Sequence, residues 1–280
     1  MERRRMLGVI GGSPSPPPDP ARKRDDCGPM SNTVTSDDIE PLEPITRVAL
    51  HQPHYLPWLG LIDKIDRSDR FVVLDTVQFE RRGWQNRNYV AGRDEPVLLT
   101  VPVNQGKRDD RILDKHIDNG QKWKTKHYKA LSEHCYRRAP YWPEYRDEIA
   151  HLYEREWDNL AKLATETIRM LMRCYGIDTP LVLASEIGDF PGRKSELLAQ
   201  ICAKAGADVM LSGDGAKDYL DVGTLRRYGI GVEWQDFRHP VYPQHTRGDA
   251  GFLPRLSAID LLLNAGPDAL HVLRRARTLS

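Results

Sequence analysis

The chain has 280 residues, with 41 Lys and Arg against 40 Asp and Glu, which gives a formal net charge of +1. A balance this close to zero argues against a protein whose main partner is the phosphate backbone of DNA or RNA. The sequence has no run of ~18 apolar residues and no secretory signal, so we expect a cytoplasmic protein without a membrane span. The four cysteines lie far apart, which predicts reduced thiols and no metal site.

The first 44 residues differ in composition from the rest of the chain. They contain five prolines between positions 14 and 20 and few large apolar side chains. Such a segment cannot bury enough apolar surface to offset the entropy lost on ordering. We therefore expect residues 1–44 to be a disordered tail and residues 45–280 to form the folded domain.

Order is predicted to begin with a strand at residues 46–50, a helix at about 60–67 and a second strand at 71–74. A strand, helix and strand in so few residues form a βαβ unit with parallel strands. The loops that follow the two strands then lie at one sheet edge, where open α/β sheets bind ligands.

The middle of the chain is predicted to contain two more strands, at 97–103 and 112–117. A helical period follows from Lys122. Between about 143 and 175 the apolar residues recur at helical spacing, which predicts one long amphipathic helix that ends at Gly176.

The last third alternates between strand and helix. Its predicted elements are a strand at 181–184, a helix at 194–205, a strand at 208–211, a short helix near 216–220, a strand at 231–237 and a terminal helix from Ser257, interrupted at Gly266. This alternation predicts a three-layer α/β fold. Its sheet is expected to be largely parallel, Rossmann-like or nucleotidyltransferase-like, with flanking helices and a helical insertion.

The loop after the first strand concentrates functional side chains between two prolines. It carries His51, Gln52, His54, Tyr55 and Trp58. Imidazole moves protons near neutral pH, so His51 or His54 could act as a general base, and the other side chains could bind substrate. The alternative is that the aromatic rings pack under the sheet while the histidines face solvent.

A second polar segment follows the second strand and contains Asp75, Gln78, Asn86 and Arg87. Its carboxylate and amides suit a polyhydroxylated or nucleotide-like ligand, and Arg87 could contact a phosphate or carboxylate. An ordinary polar hairpin with Trp84 at its centre explains the same residues.

Two basic segments are weaker candidates for substrate binding. Lys126 and His127 begin a helix, where they could line a pocket or face solvent. Arg193 and Lys194 precede another helix, whose N-terminus could bind an anion, although Ser195 could simply cap it.

The ends of two later strands supply the remaining candidates. Ser212 and Gly213 end a strand where the backbone could approach a ligand closely. His239 adds a third candidate base, although a core role explains it equally well, and Tyr242 and Gln244 are candidate binding residues beside it.

Taken together and in order, these motifs resemble the WbqC-like protein family over about residues 46 to 265. The resemblance is carried by His51-Gln52-Pro53, Tyr55-Leu56-Pro57-Trp58, Gly60, Asp75, Val77-Gln78-Phe79, Trp84-Gln85-Asn86-Arg87, Trp123, Lys126-His127, Ser212-Gly213, His239-Pro240, Tyr242 and Gln244. Members of the family lie in gene clusters for O-antigen, other surface polysaccharides and secondary metabolites. The resemblance implies a transferase that moves glycine, an aminoacyl group, to the amine of an amino sugar, free or as a nucleotide sugar.

Such a reaction needs an activated glycyl donor or ATP, and aminoacyl-tRNA is one such donor, which would require a basic surface patch. Backbone groups of Gly213 and Gly215, or Arg87, could stabilise the oxyanion. Two alternatives stay open. The first strand, loop and helix are similar to the opening of HxGH-type nucleotidyltransferases, which implies nucleotidyl or adenylyl transfer, and a non-catalytic ligand-binding protein would use the same aromatic loops.

Overall fold

A computed structural model of the chain describes residues 44–278, apart from the side chain of Asp249. The predicted disordered tail, residues 1–44, lies outside the described residues except for Pro44. No helix in the described range is long and apolar enough to cross a membrane.

The described residues contain seven strands. They are β1 (Arg47–His51), β2 (Arg70–Val73), β3 (Arg87–Val90), β4 (Val97–Thr100), β5 (Leu181–Leu183), β6 (Val209–Ser212) and β7 (Gly231–Trp234). Five of them form a parallel sheet in the order β5-β2-β1-β6-β7, and β3 pairs with β4 as an antiparallel hairpin. The predicted parallel α/β sheet is confirmed.

Helices cover both faces of the sheet. They are α1 (Leu59–Asp66), α2 (Trp123–Lys129), α3 (Trp142–Glu154), α4 (Leu160–Tyr175), α5 (Ala184–Ile187), α6 (Ser195–Lys204), α7 (Val222–Arg227), α8 (Ile259–Ala265) and α9 (Ala269–Arg275). The predicted helical insertion corresponds to α2, α3 and α4, which lie between β4 and β5 along the chain.

The core is divided in two by the sheet because successive strand residues point to opposite faces. On β1, Ala49 packs into the larger cluster with α1, α4 and α8. Its neighbours Val48 and Leu50 pack into the smaller cluster with α6 and α7. A sheet buried on both faces reads as continuous apolar runs, which is why the sequence revealed its strands. The three-layer arrangement is therefore confirmed.

The strand order reverses direction at β1. From β1 the chain builds outward through β2 to β5, and it then returns to add β6 and β7 on the other side of β1. The loops that follow β1 and β6 therefore diverge, and they leave a crevice between the carboxyl ends of these strands. Open α/β sheets bind their ligands at such a switch point.

The predicted strand at 112–117 is wrong. Residues Ile112–Asp114 form a short 3-10 turn, and the pairing is confined to isolated bridges of His116 with Asn159 and of Ile117 with Val103. The backbone N–H of Leu113 donates to the carbonyl of Asp75, and Asn159 Nδ2 donates to the carbonyl of Leu113. The apolar run is buried against loops that satisfy its backbone groups, so it needs no partner strand.

The predicted long helix at 143–175 is two helices, α3 and α4, separated by residues 155–159. Asn159 begins α4 by accepting a hydrogen bond from the N–H of Lys162. Buried Trp157 lies in the break and donates to the carbonyl of Leu152. The expected stop at Gly176 is confirmed, since this residue adopts a φ of 68°.

The short helix predicted near 216–220 is displaced along the chain. The structure has a 3-10 turn at Asp214–Ala216 and then α7, which starts at Val222. Asp221 accepts a hydrogen bond from the N–H of Gly223 and caps α7. A side-chain cap, which the apolar pattern does not reveal, decides where this helix begins.

Candidate functional site

A large cleft opens at the switch point of the sheet, with a volume of about 1430 Å³. Its walls are the loop after β1, helix α1, the segment from residue 74 to 88, the loop after β6, the loop after β7 and the start of α6. The cleft exceeds the ~300–1,000 Å³ of common small-molecule pockets, so it has room for more than one substrate.

Two histidines lie together where β1 ends at the cleft. The rings of His51 and His54 are 4.5 Å apart, edge to face. His51 Nδ1 lies 2.9 Å from the carbonyl oxygen of Gln52. A carbonyl can only accept, so His51 Nδ1 carries the hydrogen and Nε2 keeps its lone pair. His54 is 8 % exposed, and its Nδ1 has no hydrogen-bond partner among residues 44–278.

Both histidines are uncharged near neutral pH. Burial lowers the pKa of His51 well below 6.5, and the neighbouring His54 imidazole and the charge of Lys64 lower it further. Burial and the charge of Lys64 together lower the pKa of His54 to about 4. A neutral imidazole can accept a proton, so either residue is equipped to serve as a base.

Lys64, on α1, is a cleft residue that the sequence analysis missed. It lines the cleft and is only 6 % exposed. Burial lowers its pKa to about 8, against the opposing effect of the Asp214 and Asp63 carboxylates. Helix α1 is buried on almost every side, at Leu59 through Ile65, so its central lysine cannot reach bulk solvent freely.

The loop after β6 lies against Lys64. A Cβ atom built on Gly213 would stand 3.3 Å from Lys64 Nζ and 3.8 Å from Gln235 Oε1. Gln235 is held in place by donating to the carbonyl of Gly60 and to Asp63, both at 2.7 Å. A side chain at position 213 would therefore press on the lysine.

Aromatic residues form part of the cleft wall. Trp58 packs edge to face against Phe237, with ring centroids 5.1 Å apart. Its ring also covers Gly60, where a Cβ would approach to 2.4 Å, so this tryptophan requires glycine two residues later. Trp84 and Tyr219 line the cleft while keeping large exposed surfaces. Exposed rings in a cleft can stack on a planar ligand.

The structure brings eight of the predicted site residues into this cleft. They are His51, Gln52, His54, Trp58, Lys194, Ser212, Gly213 and His239. The other predicted residues lie outside its lining. They are Tyr55, Asp75, Gln78, Asn86, Arg87, Lys126, His127, Arg193, Tyr242 and Gln244.

Two of the outlying residues belong to a buried network beneath the cleft loop. The hydroxyl of Tyr55 lies 2.6 Å from that of Tyr153 and 2.9 Å from His127 Nδ1. Burial lowers the pKa of His127 to about 4, so its imidazole is neutral. These hydrogen bonds anchor Tyr55, the residue that follows His54 in the chain, in the core of the protein.

The polar residues after β2 mainly bind the protein's own chain. Asp75 accepts from the N–H and hydroxyl of Ser185. Three others donate to backbone carbonyl groups: Asn86 to Val101, Arg87 to Gly83 and Gln78 to Arg108. They shape the hairpin and its neighbouring loops.

The remaining outlying residues are either exposed or engaged with a buried carboxylate. Lys126 and Arg193 are exposed to solvent. Tyr242 and Gln244 each donate to Asp260 at 2.8 Å. Burial raises the pKa of Asp260, and these hydrogen bonds oppose that rise.

His239 lines the cleft, but both of its ring nitrogens are occupied. Nδ1 donates to the carbonyl of Pro240 at 2.8 Å, and Nε2 accepts from the backbone N–H of Arg255 at 3.1 Å. Its ring also packs against Phe237 and Phe252. To act as a base, His239 would have to release the Arg255 N–H first, so the geometry favours His51 and His54 for that role.

The chain matches known proteins along most of its length. The model of the WbqC-like protein family matches residues 52–272. The uncharacterized protein Rv1507c of Mycobacterium tuberculosis (strain ATCC 25618 / H37Rv) is 33% identical over 233 residues, which cover 82% of this chain and 99% of that protein. No solved structure gave a significant match. The matched region contains the cleft residues from Gln52 to Arg255, and the chain belongs to the WbqC-like protein family.

Proposed function

We propose that the protein transfers a glycyl or related aminoacyl group from an activated donor to the amine of an amino sugar or similar small molecule. The product would serve the synthesis of surface polysaccharides or secondary metabolites. The acceptor amine and the donor carbonyl would meet in the cleft, beside the two histidines.

In the proposed reaction the amine nitrogen attacks the donor carbonyl carbon and forms the new C–N bond. The amine proton moves to an imidazole nitrogen, His51 Nε2 in the favoured arrangement. The bond between the carbonyl carbon and the leaving group then breaks, and its electron pair departs with that group. The donor must be activated, as an acyl phosphate, adenylate, thioester or aminoacyl-tRNA, because free glycine has no adequate leaving group.

The observation that carries the proposal is the pair of neutral histidines in a cleft large enough for two substrates. A base for an amine must itself be unprotonated, and the lowered pKa values of His51 and His54 meet this requirement at neutral pH. Lys64 lines the same cleft, and its positive charge favours an anionic substrate there.

A second candidate is nucleotidyl or adenylyl transfer. The order of the five parallel strands favours it, because this order places the cleft where Rossmann-like sheets hold nucleotides. Adenylylation of glycine could also precede aminoacyl transfer at the same cleft, since it would supply the activated donor.

Both candidates are tested by incubating the purified protein with ATP, isotope-labelled glycine, preformed glycyl donors and nucleotide-linked amino sugars. Label on the sugar supports aminoacyl transfer, whereas pyrophosphate release without sugar labelling supports adenylylation. Binding of these compounds without any turnover would contradict both and leave a ligand-binding protein.

A further inference from the structure

Lys64 is a buried cation that interacts electrostatically with the Asp63 and Asp214 carboxylates but forms no ion pair with either. Its side chain is 6 % exposed, and no hydrogen bond or ion pair to its Nζ exists within residues 44–278. Lysine is almost never buried to this extent unless it is paired. The folded chain alone therefore does not explain why this buried position carries a lysine.

These two carboxylates are already engaged with other side chains. Asp63 receives hydrogen bonds from Arg277 at 2.6 Å and from Gln235 at 2.7 Å. Asp214 pairs with Lys217 at 2.5 Å. Each acid has its own cation or donor, so neither is a dedicated counterion for Lys64.

The other titratable groups around Lys64 carry no compensating charge. His51 at the end of β1 and His54 in the following loop are neutral, and their lowered pKa values partly reflect the charge of Lys64. His54 Nδ1 is buried without a partner. Lys64 thus lines the cleft with hydrogen-bonding capacity left over.

We propose that Lys64 anchors a binding site for a phosphate group, and that the cleft accordingly takes a phosphorylated ligand of the nucleotide or nucleotide-sugar class. An anionic oxygen of the ligand would give the Lys64 ammonium group the negatively charged hydrogen-bond partner that it lacks.

Three features favour phosphate over a simple carboxylate. The site lies at the switch point of the sheet, where open α/β folds hold phosphates. Gly213 lets the backbone after β6 approach Lys64 without a side chain between them. The exposed rings of Trp84 and Tyr219 in the same cleft can stack on a nucleoside base.

The inference rests on the proposed function only in assigning the ligand and the reaction to the same cleft. Binding can be measured without turnover, so the two proposals can be tested separately. Isothermal titration calorimetry on the full chain would compare inorganic pyrophosphate and UDP with uridine and glycine. We expect the two phosphate compounds to bind, and uridine and glycine to bind at least ~10-fold more weakly, because one charge-assisted hydrogen bond accounts for about a tenfold change.

The matched variants are Lys64→Met and Lys162→Gln, which each remove one positive charge; Lys162 is exposed on α4. Lys64→Met should weaken UDP binding at least ~10-fold, whereas Lys162→Gln should leave it unchanged. Without ligand, the melting temperature of Lys64→Met should equal or exceed that of the wild type. A rise in stability with a loss of binding marks a residue kept for its ligand.

The pH dependence provides an independent readout. UDP phosphates are fully ionised above about pH 7.5, so a fall in affinity between about pH 7.5 and 9.5 reports the loss of the lysine proton. Lys64→Met should show no such fall.

Three results would overturn the site: no binding of either phosphate compound, equal UDP affinity in Lys64→Met and wild type, or glycine binding as tightly as pyrophosphate. The last result would indicate a carboxylate site. Binding that meets every expectation while aminoacyl transfer fails would instead contradict the proposed function.

Discussion

Lys64 and Gly213 lie side by side in the cleft wall, so close that a Cβ on the glycine would stand 3.3 Å from the lysine Nζ. This contact couples the loop after β6 to the buried charge of α1. The backbone of Gly213 needs no positive φ, so its lack of a side chain matters for space and not for conformation.

Gly213→Ala should therefore displace the ammonium group without unfolding the protein. We expect a change of less than ~1 kcal/mol in the free energy of unfolding, as for most substitutions that create no cavity or buried polar group. Affinity for UDP should fall about 3- to 10-fold, because the lysine can no longer keep its position. Gly231→Ala on β7 is the matched control, since its Cβ would make ordinary contacts from 3.5 Å outward. Equal UDP affinity in wild type and Gly213→Ala would contradict the steric argument.

The choice of base is tested by three substitutions of histidine by glutamine. His51→Gln should lower kcat by about 100-fold or more with little change in KM, because it removes the imidazole lone pair but keeps polar volume. His239→Gln should affect turnover less, since both of its nitrogens already have partners. Comparison of His54→Gln with His51→Gln shows which of the two cleft histidines acts as the base. Unchanged turnover in both His51→Gln and His54→Gln would eliminate the proposed bases.

The pH dependence of turnover should differ from that of an ordinary histidine enzyme. A base is active when unprotonated, and the pKa of His54 is lowered to about 4 and that of His51 is also well below 6.5. After correction for the fraction of acceptor amine that is unprotonated at each pH, kcat/KM should therefore stay constant from about pH 7.5 down to about 5.5 while the protein remains folded. It should decline above about pH 8, as Lys64 loses its proton. A tenfold loss of this corrected kcat/KM at pH 5.5 in folded protein would contradict the lowered pKa values of the histidines.

Acidification should destabilise the fold through its buried histidines. Burial lowers the pKa values of His54 and His127 to about 4 in the folded state, whereas unfolded histidine titrates near ~6.5. The unfolded chain therefore binds more protons below about pH 6.5, and the stability present above that pH is lost as the pH falls towards 4. Each histidine should cost about 1 kcal/mol at pH 5.5. Urea unfolding at pH 7 and 5.5 measures this loss, and His127→Gln should reduce it.

Substitution of Tyr55 tests whether this residue belongs to a structural network or to a binding site. Tyr55→Phe removes the hydroxyl between Tyr153 and His127 and leaves buried polar partners unsatisfied. The free energy of unfolding should fall by about 1–3 kcal/mol, whereas UDP affinity should not change. Tyr153→Phe is the companion variant, and it should cost a similar amount. A large loss of affinity at unchanged stability would instead place Tyr55 in the site.

The sequence predicted the sheet well because strands buried on both faces are continuous apolar runs, as at residues 71–74. The sequence-based prediction failed where tertiary contacts, and not the local apolar pattern, determine the secondary structure. The run at Ile112 looks like a strand, but loops satisfy its backbone groups, and the break before Asn159 depends on a side-chain cap. Lys64 was missed because a lysine in a helix is usually solvated, and only the packing of α1 places it at the cleft.

The candidate site was predicted in part for the same reason. Residues at the ends of parallel strands, such as His51 and Ser212, can be placed at one edge from topology alone. The polar residues of the hairpin cannot, because whether Asn86 faces a ligand or a backbone carbonyl depends on register and loop geometry.

A crystal structure of the protein soaked with a UDP-linked amino sugar tests the central claim most directly. We predict a diphosphate within hydrogen-bond distance of Lys64 Nζ and a sugar amine facing the His51 and His54 pair. A sugar nucleotide bound away from the carboxyl ends of β1 and β6, with the cleft left unfilled, would contradict the account.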